Sequence, residues 1–428
     1  MQKKGLLALL LAVTVLLFSG CALVTVDEDV DDARTIIDVN GETVTKGVLN
    51  NAAEYQIQRN EYMNQLYSTF GMSGSYPTDL ATVRSQLVES YIETLVSQQK
   101  AAAGGFDQLT AEEEADVQAQ AKEAYDNEVK QVIDSFFANS ELKDEELTVE
   151  AEKYIADNGF ASLEQYVESY RKQKAVEKLR ADAIKDVTVT DEEIAALLTE
   201  KVEADKESFA SAPDSYGYSV NNGTTTYYAP AGYRYVKQIL VKFMEEDSTA
   251  VSQAQTALTT AQSALTNAAE DADKDALQKA VDDAQAALDA ANATAQANIQ
   301  EKTDEIYAKV TAEDADFDAL VKEYNEDTGM PERGYAVREG YVYFVASFTD
   351  AAMKLENVGD VSEPTASSYG FHILKYTEDI PEGAVALDSV RDTLHAELLA
   401  SKQDEAYKAA LQTWIAEANV KTYLDRLN

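Results

Sequence analysis

Ser368-Tyr369-Gly370-Phe371-His372-Ile373-Leu374-Lys375 is a mostly apolar run that follows a glycine and carries one histidine. Its apolar content, continued to Tyr376, predicts a strand over Phe371 to Tyr376. Upstream, Val358-Gly359-Asp360-Val361-Ser362-Glu363-Pro364 has the composition of a turn. A second strand is predicted over Tyr235-Val236-Lys237-Gln238-Ile239-Leu240-Val241, which has the β-branched content and length of one. Between the two, helices are expected at about Glu301 to Val310, Phe317 to Tyr324 and Phe348 to Leu355. Residues 233–378 therefore read as one strand–helices–strand domain.

That domain is interrupted. Between Ala250 and Ile299 the composition narrows to Ala, Gln, Thr and Asp. Leu258 and Leu265 stand one heptad apart, as do Val281 and Leu288, with Glu270-Asp271-Ala272-Asp273 between the two series. A narrow Ala/Leu seam suits two antiparallel helices in close contact, so 247–300 reads as an inserted coiled-coil hairpin. A single long helix or a partly disordered arm would share that composition.

Toward the N-terminus, 211–232 is punctuated by Pro213, Gly217, Asn221-Asn222-Gly223 and Pro230, and reads as a linker. Before it, 36–210 is a mainly helical domain. It opens on Ile36-Ile37-Asp38-Val39-Asn40-Gly41-Glu42-Thr43-Val44-Thr45, a hairpin whose Asn-Gly pair tolerates the positive φ of a type I′ turn. Leu80, Val83, Leu87, Tyr91 and Leu95 recur at helical spacing and mark a core face. Thr110 with Glu113, Ser162 with Gln165 and Thr190 with Glu193 have capping-box spacing. Residues 385–428 carry a long amphipathic helix with Val390, Leu394, Leu398, Tyr407, Leu411 and Trp414, and a short strand from Val420. The strand–helices–strand domain does not need that helix, so it is expected to complete the N-terminal one.

The first residues set the compartment. Lys3 and Lys4 precede an apolar run from Leu6 to Phe18, and Ser19-Gly20 leads to Cys21. This is the order of a secretory signal peptide over 1–20. The run is shorter than the roughly 20 apolar residues that a membrane-spanning helix needs. The cysteine resembles the lipidated residue of a bacterial lipobox, which implies a lipid anchor on Cys21, an acidic tether over 21–35 and a place on the extracytoplasmic face of the cell membrane. Cys21 is the chain's one cysteine, so no intramolecular disulfide can form.

With 77 acidic and 36 basic residues the net charge is −41, which disfavours nucleic acid and anionic lipid surfaces as partners. His372 and His395 are far apart in the chain, and acidic clusters such as Glu112-Glu113-Glu114 lack EF-hand spacing, so no metal and no cofactor is expected. Phosphate-loop and Gly-x-Ser-x-Gly nucleophile motifs do not occur.

Four segments carry a resemblance. Lys237-Gln238-Ile239-Leu240-Val241, Phe317-x-x-Leu320 with Tyr324-Asn325-Glu326-Asp327, the 358–364 turn and the 368–375 strand together resemble parvulin-type peptidyl-prolyl isomerases. The Val39-Asn40-Gly41-Glu42-x-Val44-Thr45 opening and the helices after it resemble the chaperone module of the SurA and PrsA foldases. The implied fold class is α+β: a helical chaperone module and a parvulin-like α/β domain with the Ala-rich insertion.

The resemblance implies His372 and Asp327 in a polar catalytic network, Gln238 in it where active parvulins usually have histidine, and a proline pocket of Phe344, Phe348 and Met353. Periodicity alone would make those three ordinary core residues. The loop Gly334-Tyr335-Ala336-Val337-Arg338 departs from the family's Gly-Gly-Asp-Leu-Gly, and glutamine cannot titrate. The resemblance thus implies a lipid-anchored foldase that binds unfolded, newly exported polypeptides, with isomerase activity retained, weakened or lost. The alternative is a non-catalytic envelope binding or scaffold protein on a degenerate parvulin fold. Nothing in the sequence decides between monomer and homodimer.

Overall fold

The computed structural model describes residues 29–427 apart from 139, 141, 270 and 271. The signal peptide, Cys21 and most of the tether lie outside the described residues. The chain divides into two compact units, one running to Thr188 and resuming at Leu399, the other spanning Val189–Leu398.

The first unit opens on β1 (Thr35–Val39) and β2 (Glu42–Thr45), an antiparallel pair. Asn40 (φ 52°) and Gly41 (φ 95°) form the left-handed pair that a type I′ turn demands. Asp29–Asp32, assigned to the tether from sequence, is instead a helical turn, and Asp31 pairs with Lys46 at 2.8 Å. The Thr45 side chain caps α1 (Lys46–Thr69), which is followed by α2 (Leu80–Ala103). Then come α3 (Ala111–Val132), a π-helical turn Ile133–Phe137, α4 (Asp144–Asp157) and α5 (Leu163–Ile184). The capping boxes at Thr110 and Ser162 start α3 and α5. Of the α2 stripe, Val83, Tyr91 and Leu95 are buried while Leu80 is exposed.

The second unit begins with α6 (Asp191–Ser211), started by the Thr190 capping box. Sequence grouped this helix with the N-terminal module; its Ile194, Leu197, Leu198 and Val202 instead pack with Tyr227, Val390 and Leu394 of the second unit. The 211–232 stretch is likewise no linker. It holds α7 (Asp214–Asn221) and β3 (Tyr228–Ala229), and Tyr216, Ala229 and Tyr233 enter the core of the unit. The Asn221 side chain accepts from Ala336 N (2.7 Å) and donates to Ala336 O (3.0 Å), an edge pairing that local pattern does not reveal.

Next come β4 (Arg234–Lys242), α8 (Glu245–Thr266) and α9 (Lys274–Val310). The helices α8 and α9 pack on each other as a hairpin through Val251, Leu258, Leu288 and Ala295. The helix expected from Glu301 is not separate: α9 runs unbroken for 37 residues, from the hairpin into the domain core. The unit continues through α10 (Phe317–Tyr324), β5 (Tyr335–Val337), α11 (Ala346–Lys354), β6 (Thr365–Ala366), β7 (Gly370–Asp379) and β8 (Gly383–Ala384). A four-stranded sheet has the order β5-β4-β7-β6, and β3 pairs with β8.

The last helix, α12 (Leu387–Glu417), contributes Val390 and Leu394 to the second unit. Beyond Leu399 its Leu411 and Trp414 join the first unit's core with Ile37, Leu49 and Tyr91. Then β9 (Val420–Thr422) adds to β1, giving the order β2-β1-β9. No described helix is long and apolar enough to cross a membrane.

Gly370 shows why the strand quoted first needs its glycine. Its φ is +142°, and a Cβ there would stand 2.0 Å from Val241 O. Gly370→Ala is therefore expected to destabilise the second unit by roughly 2–4 kcal/mol, because the backbone of β4 must move. A urea titration of the two chains checks it.

Candidate active site

The central pair β4 and β7 sets Gln238 opposite Leu374 and Leu240 opposite His372. Gln238 and His372 are thus diagonal neighbours on one face of the sheet. Both are buried, at 4% exposure each.

Asp327 is brought to the same face by the end of α10. The Asn325 carboxamide oxygen accepts from Leu240 N (2.9 Å) and Asp327 N (3.1 Å), and Glu326 N donates to Leu240 O (3.0 Å). The segment after the helix is thereby fastened to β4. The Asp327 carboxylate then accepts from Gly329 N (2.9 Å), Gln238 Nε2 (2.5 Å) and the Tyr335 hydroxyl (2.7 Å).

These bonds fix the direction of a chain of donors. A carboxylate only accepts, so Gln238 must aim its amide nitrogen at Asp327 and its oxygen at His372. His372 Nδ1 lies 2.7 Å from Gln238 Oε1 and must carry the proton. Nε2 is then the acceptor, 2.7 Å from Ser367 Oγ, and Tyr369 N donates to that same hydroxyl oxygen (3.0 Å). The order Ser367, His372, Gln238, Asp327, Tyr335 is one continuous network assigned by polarity. Burial pushes the His372 imidazole down from 6.5 to about 4, against a smaller opposing pull from Asp327. It is neutral at pH 7.

That depression links to stability with a definite sign. A histidine depressed in the folded state stabilises fully above the unfolded value of 6.5 and loses that contribution as pH falls toward about 4. Up to about 3 kcal/mol is expected to disappear over that window. Urea midpoints at pH 7 and pH 4.5 should fall further apart for the parent than for His372→Asn, which removes this titration while leaving the surface carboxylates.

Beside the network lie aromatic rings. Phe348 meets the His372 ring edge-on (centroids 5.4 Å), Phe344 packs edge-on against Phe348 (5.1 Å), and Tyr335 packs on Phe344 (4.8 Å). Phe348 is buried at 3% and forms a floor, whereas Phe344 and Met353 are half-buried against the same cluster. Next to Phe344 the chain exposes Val342 and Tyr343, with Tyr218 4.9 Å from the Tyr343 ring. The structure thus gathers five of the six residues named from sequence around one face and leaves Met353 at its apolar margin; Cys21 lies outside the described residues.

Two members of the network were missed. Tyr335 stands in the very loop that departs from the family pattern, and its hydroxyl reaches the carboxylate. Ser367 is placed by a tight turn closed through Ser367 N to Gly370 O (2.9 Å), which no spacing announces.

A family model described as Rotamase, PPIC-type PPIASE domain, matches residues 239–378. Over these residues the second unit is similar to PPIC-type PPIase domains. The curated relatives that the chain resembles are described as foldases. Foldase protein PrsA 4 of Bacillus cereus is 52% identical over 64 residues, 15% of this chain and 22% of that one. Foldase protein PrsA of Clostridium botulinum (strain Okra) is 23% identical over 426 residues, 98% of this chain and 97% of that one. The better-conserved matches therefore span only part of the relatives' lengths, while the full-length likeness is more distant. The crystal structure of PrsA from Bacillus subtilis aligns over 90% of this chain and 93% of that one at 20% identity, with a TM-score of 0.18 that supports no argument about arrangement. The matched stretch contains His372 of β7, and Gln238 stands in β4 immediately before it.

Proposed function

We propose that this protein is an extracytoplasmic foldase that binds unfolded, newly exported polypeptides and isomerises their X-Pro bonds at the His372 face. The observation that carries this is the polarised line from Ser367 to Asp327 laid beside the half-buried Phe344, in a unit similar to PPIC-type PPIase domains.

The chemistry asks little of a nucleophile. Rotation about a prolyl bond faces a barrier of about 18–20 kcal/mol set by amide resonance. A site lowers it by gripping the pyrrolidine ring on apolar surface and favouring the twisted form, whose carbonyl has lost conjugation. Phe344 and Met353 offer that surface above Phe348. The neutral, buried His372 supplies a fixed dipole whose orientation Gln238 relays from Asp327. Glutamine in place of a second histidine preserves the hydrogen bonds and removes one titration.

The first unit offers a client surface of its own. Tyr55, Tyr62 and Leu66 are exposed along α1, Phe70, Met72 and Tyr76 follow in the connection, and Leu80 opens α2. Exposed apolar side chains of this kind are where an unfolded segment would be expected to dock. An anchor on Cys21 would hold the protein at the outer face of the membrane. Mass spectrometry of the mature N-terminus tests it, with Cys21→Ala expected to release the chain.

Gln238 also favours a second reading, a binding module that has lost its chemistry. Gln238→His separates the two. The foldase reading expects the parent to accelerate isomerisation of an X-Pro peptide and the variant to do so within about tenfold of it, since one network hydrogen bond is exchanged for another. An inactive parent made active by the substitution would support the second reading instead.

A further inference from the structure

The apolar wall beside His372 is carried on a loop. Phe344 lies between β5 and α11, in a stretch where Tyr341 N donates to Arg338 O (3.2 Å) and where Val342 and Tyr343 are exposed. A surface loop holds a side chain in one place only where something outside it fastens it. The fastening comes from α7, which lies ahead of the 239–378 stretch.

Asp214, the first residue of α7, accepts from Arg338 Nε with one carboxylate oxygen (2.5 Å) and from Val342 N with the other (3.2 Å). Asn221, the last, is paired with both backbone groups of Ala336 in β5, and its amide nitrogen also reaches the Tyr341 hydroxyl (3.4 Å). Between these ends Gly217 lies against two rings: a Cβ there would stand 2.7 Å from Tyr341 Cε2 and 2.8 Å from Tyr233 Cε1. Tyr341, held this way, is buried and meets Phe344 edge-on (5.1 Å), as Phe344 meets Phe348 and Phe348 meets His372. His372, Leu374 and Tyr376 alternate along β7 onto one face, and Leu374 and Tyr376 are buried in the same cluster as Tyr341 and Phe348. The path from α7 to the imidazole stays on that face.

We propose that α7 is a positioning element of the isomerase site: Asp214 and Asn221 hold the 338–344 loop so that Phe344 stands where the prolyl ring is gripped. The proposal rests on the His372 face being the client site. Neither residue touches the client; both act through Phe344. Each tie suits its residue type. Both partners of Asp214 donate, and one is cationic, so a carboxylate serves both, whereas asparagine has one acceptor oxygen and turns an amide toward a donor. Asn221 must donate and accept at once, which a carboxylate cannot do.

The test uses the full chain and a fluorescein-labelled X-Pro peptide. Affinity read by anisotropy is expected to fall about fivefold in Asp214→Asn and in Asn221→Asp, the effect of one charge-assisted hydrogen bond. Exchange spectroscopy should place the loss in KM rather than kcat, because Phe344 grips the ring in ground and transition states alike. Added to Phe344→Ala, either change should deepen the loss hardly at all, since the group it positions is already gone. Undiminished affinity in both variants, or losses that add in full to that of Phe344→Ala, would overturn the proposal and leave the His372 face as the client site. Affinity that ignores Phe344→Ala would overturn the reading of that face itself. The two variants sit at opposite ends of α7, so one that fails to fold leaves the other to decide, and binding reports the outcome whether or not the peptide is isomerised.

Discussion

His372→Ala is expected to lower the rate of X-Pro isomerisation by on the order of a hundredfold, the size associated with removing one preorganised polar group from a site. The same change leaves Gln238 Oε1 buried without its donor, and Ser367 without its acceptor, at a stability cost of about 1–3 kcal/mol. The two effects are separable. Binding of a reduced, unfolded client should persist, because the exposed aromatic cluster around Tyr62 and Phe70 belongs to the first unit. Peptide kinetics by exchange spectroscopy, beside suppression of client aggregation, report both. Equal losses in the two assays would instead point to unfolding.

Removing residues 399–428 is expected to unfold the first unit. That segment supplies Leu411 and Trp414 to the core of Ile37, Leu49 and Tyr91, and its β9 pairs with β1 through Ile37, Asp38 and Val39. Losing Leu411 alone should cost about 2–5 kcal/mol. The strand adds more, since β1 becomes an edge whose backbone groups lose their partners. Amide exchange across α1 and α2 should rise to the rate of an unfolded chain in the truncation and only moderately in Leu411→Ala. Native protection of those helices without the segment would show that the unit does not depend on it.

What could be seen in the sequence was local. Asn40-Gly41, the three capping boxes and the β4 and β7 strands each rest on neighbours a few residues apart, and each is present in the structure. The heptad steps between Leu258 and Leu265 and between Val281 and Leu288 were enough to see a hairpin. What escaped depends on partners far along the chain. The Pro, Gly and Asn of 211–232 punctuate a loop by every local rule, yet Tyr216 and Asn221 are held by Tyr233 and Ala336. The apolar face of α6 gives no hint that it belongs with Val390 and Leu394 rather than with the helices before it.

The site divides in the same way. His372, Asp327 and Gln238 came from motif resemblance, and the structure supplies what a motif lacks: the donor order that makes one imidazole nitrogen a donor and the other an acceptor. Tyr335 replaces nothing in the family loop that pattern could flag as functional, and its role depends on the reach of its hydroxyl to Asp327.

The most direct measurement is the rate of cis-to-trans isomerisation of a short X-Pro peptide with the full chain at pH 7, where His372 is neutral. Acceleration that grows in proportion to protein concentration is the predicted result. A folded protein that leaves the uncatalysed rate unchanged would contradict it.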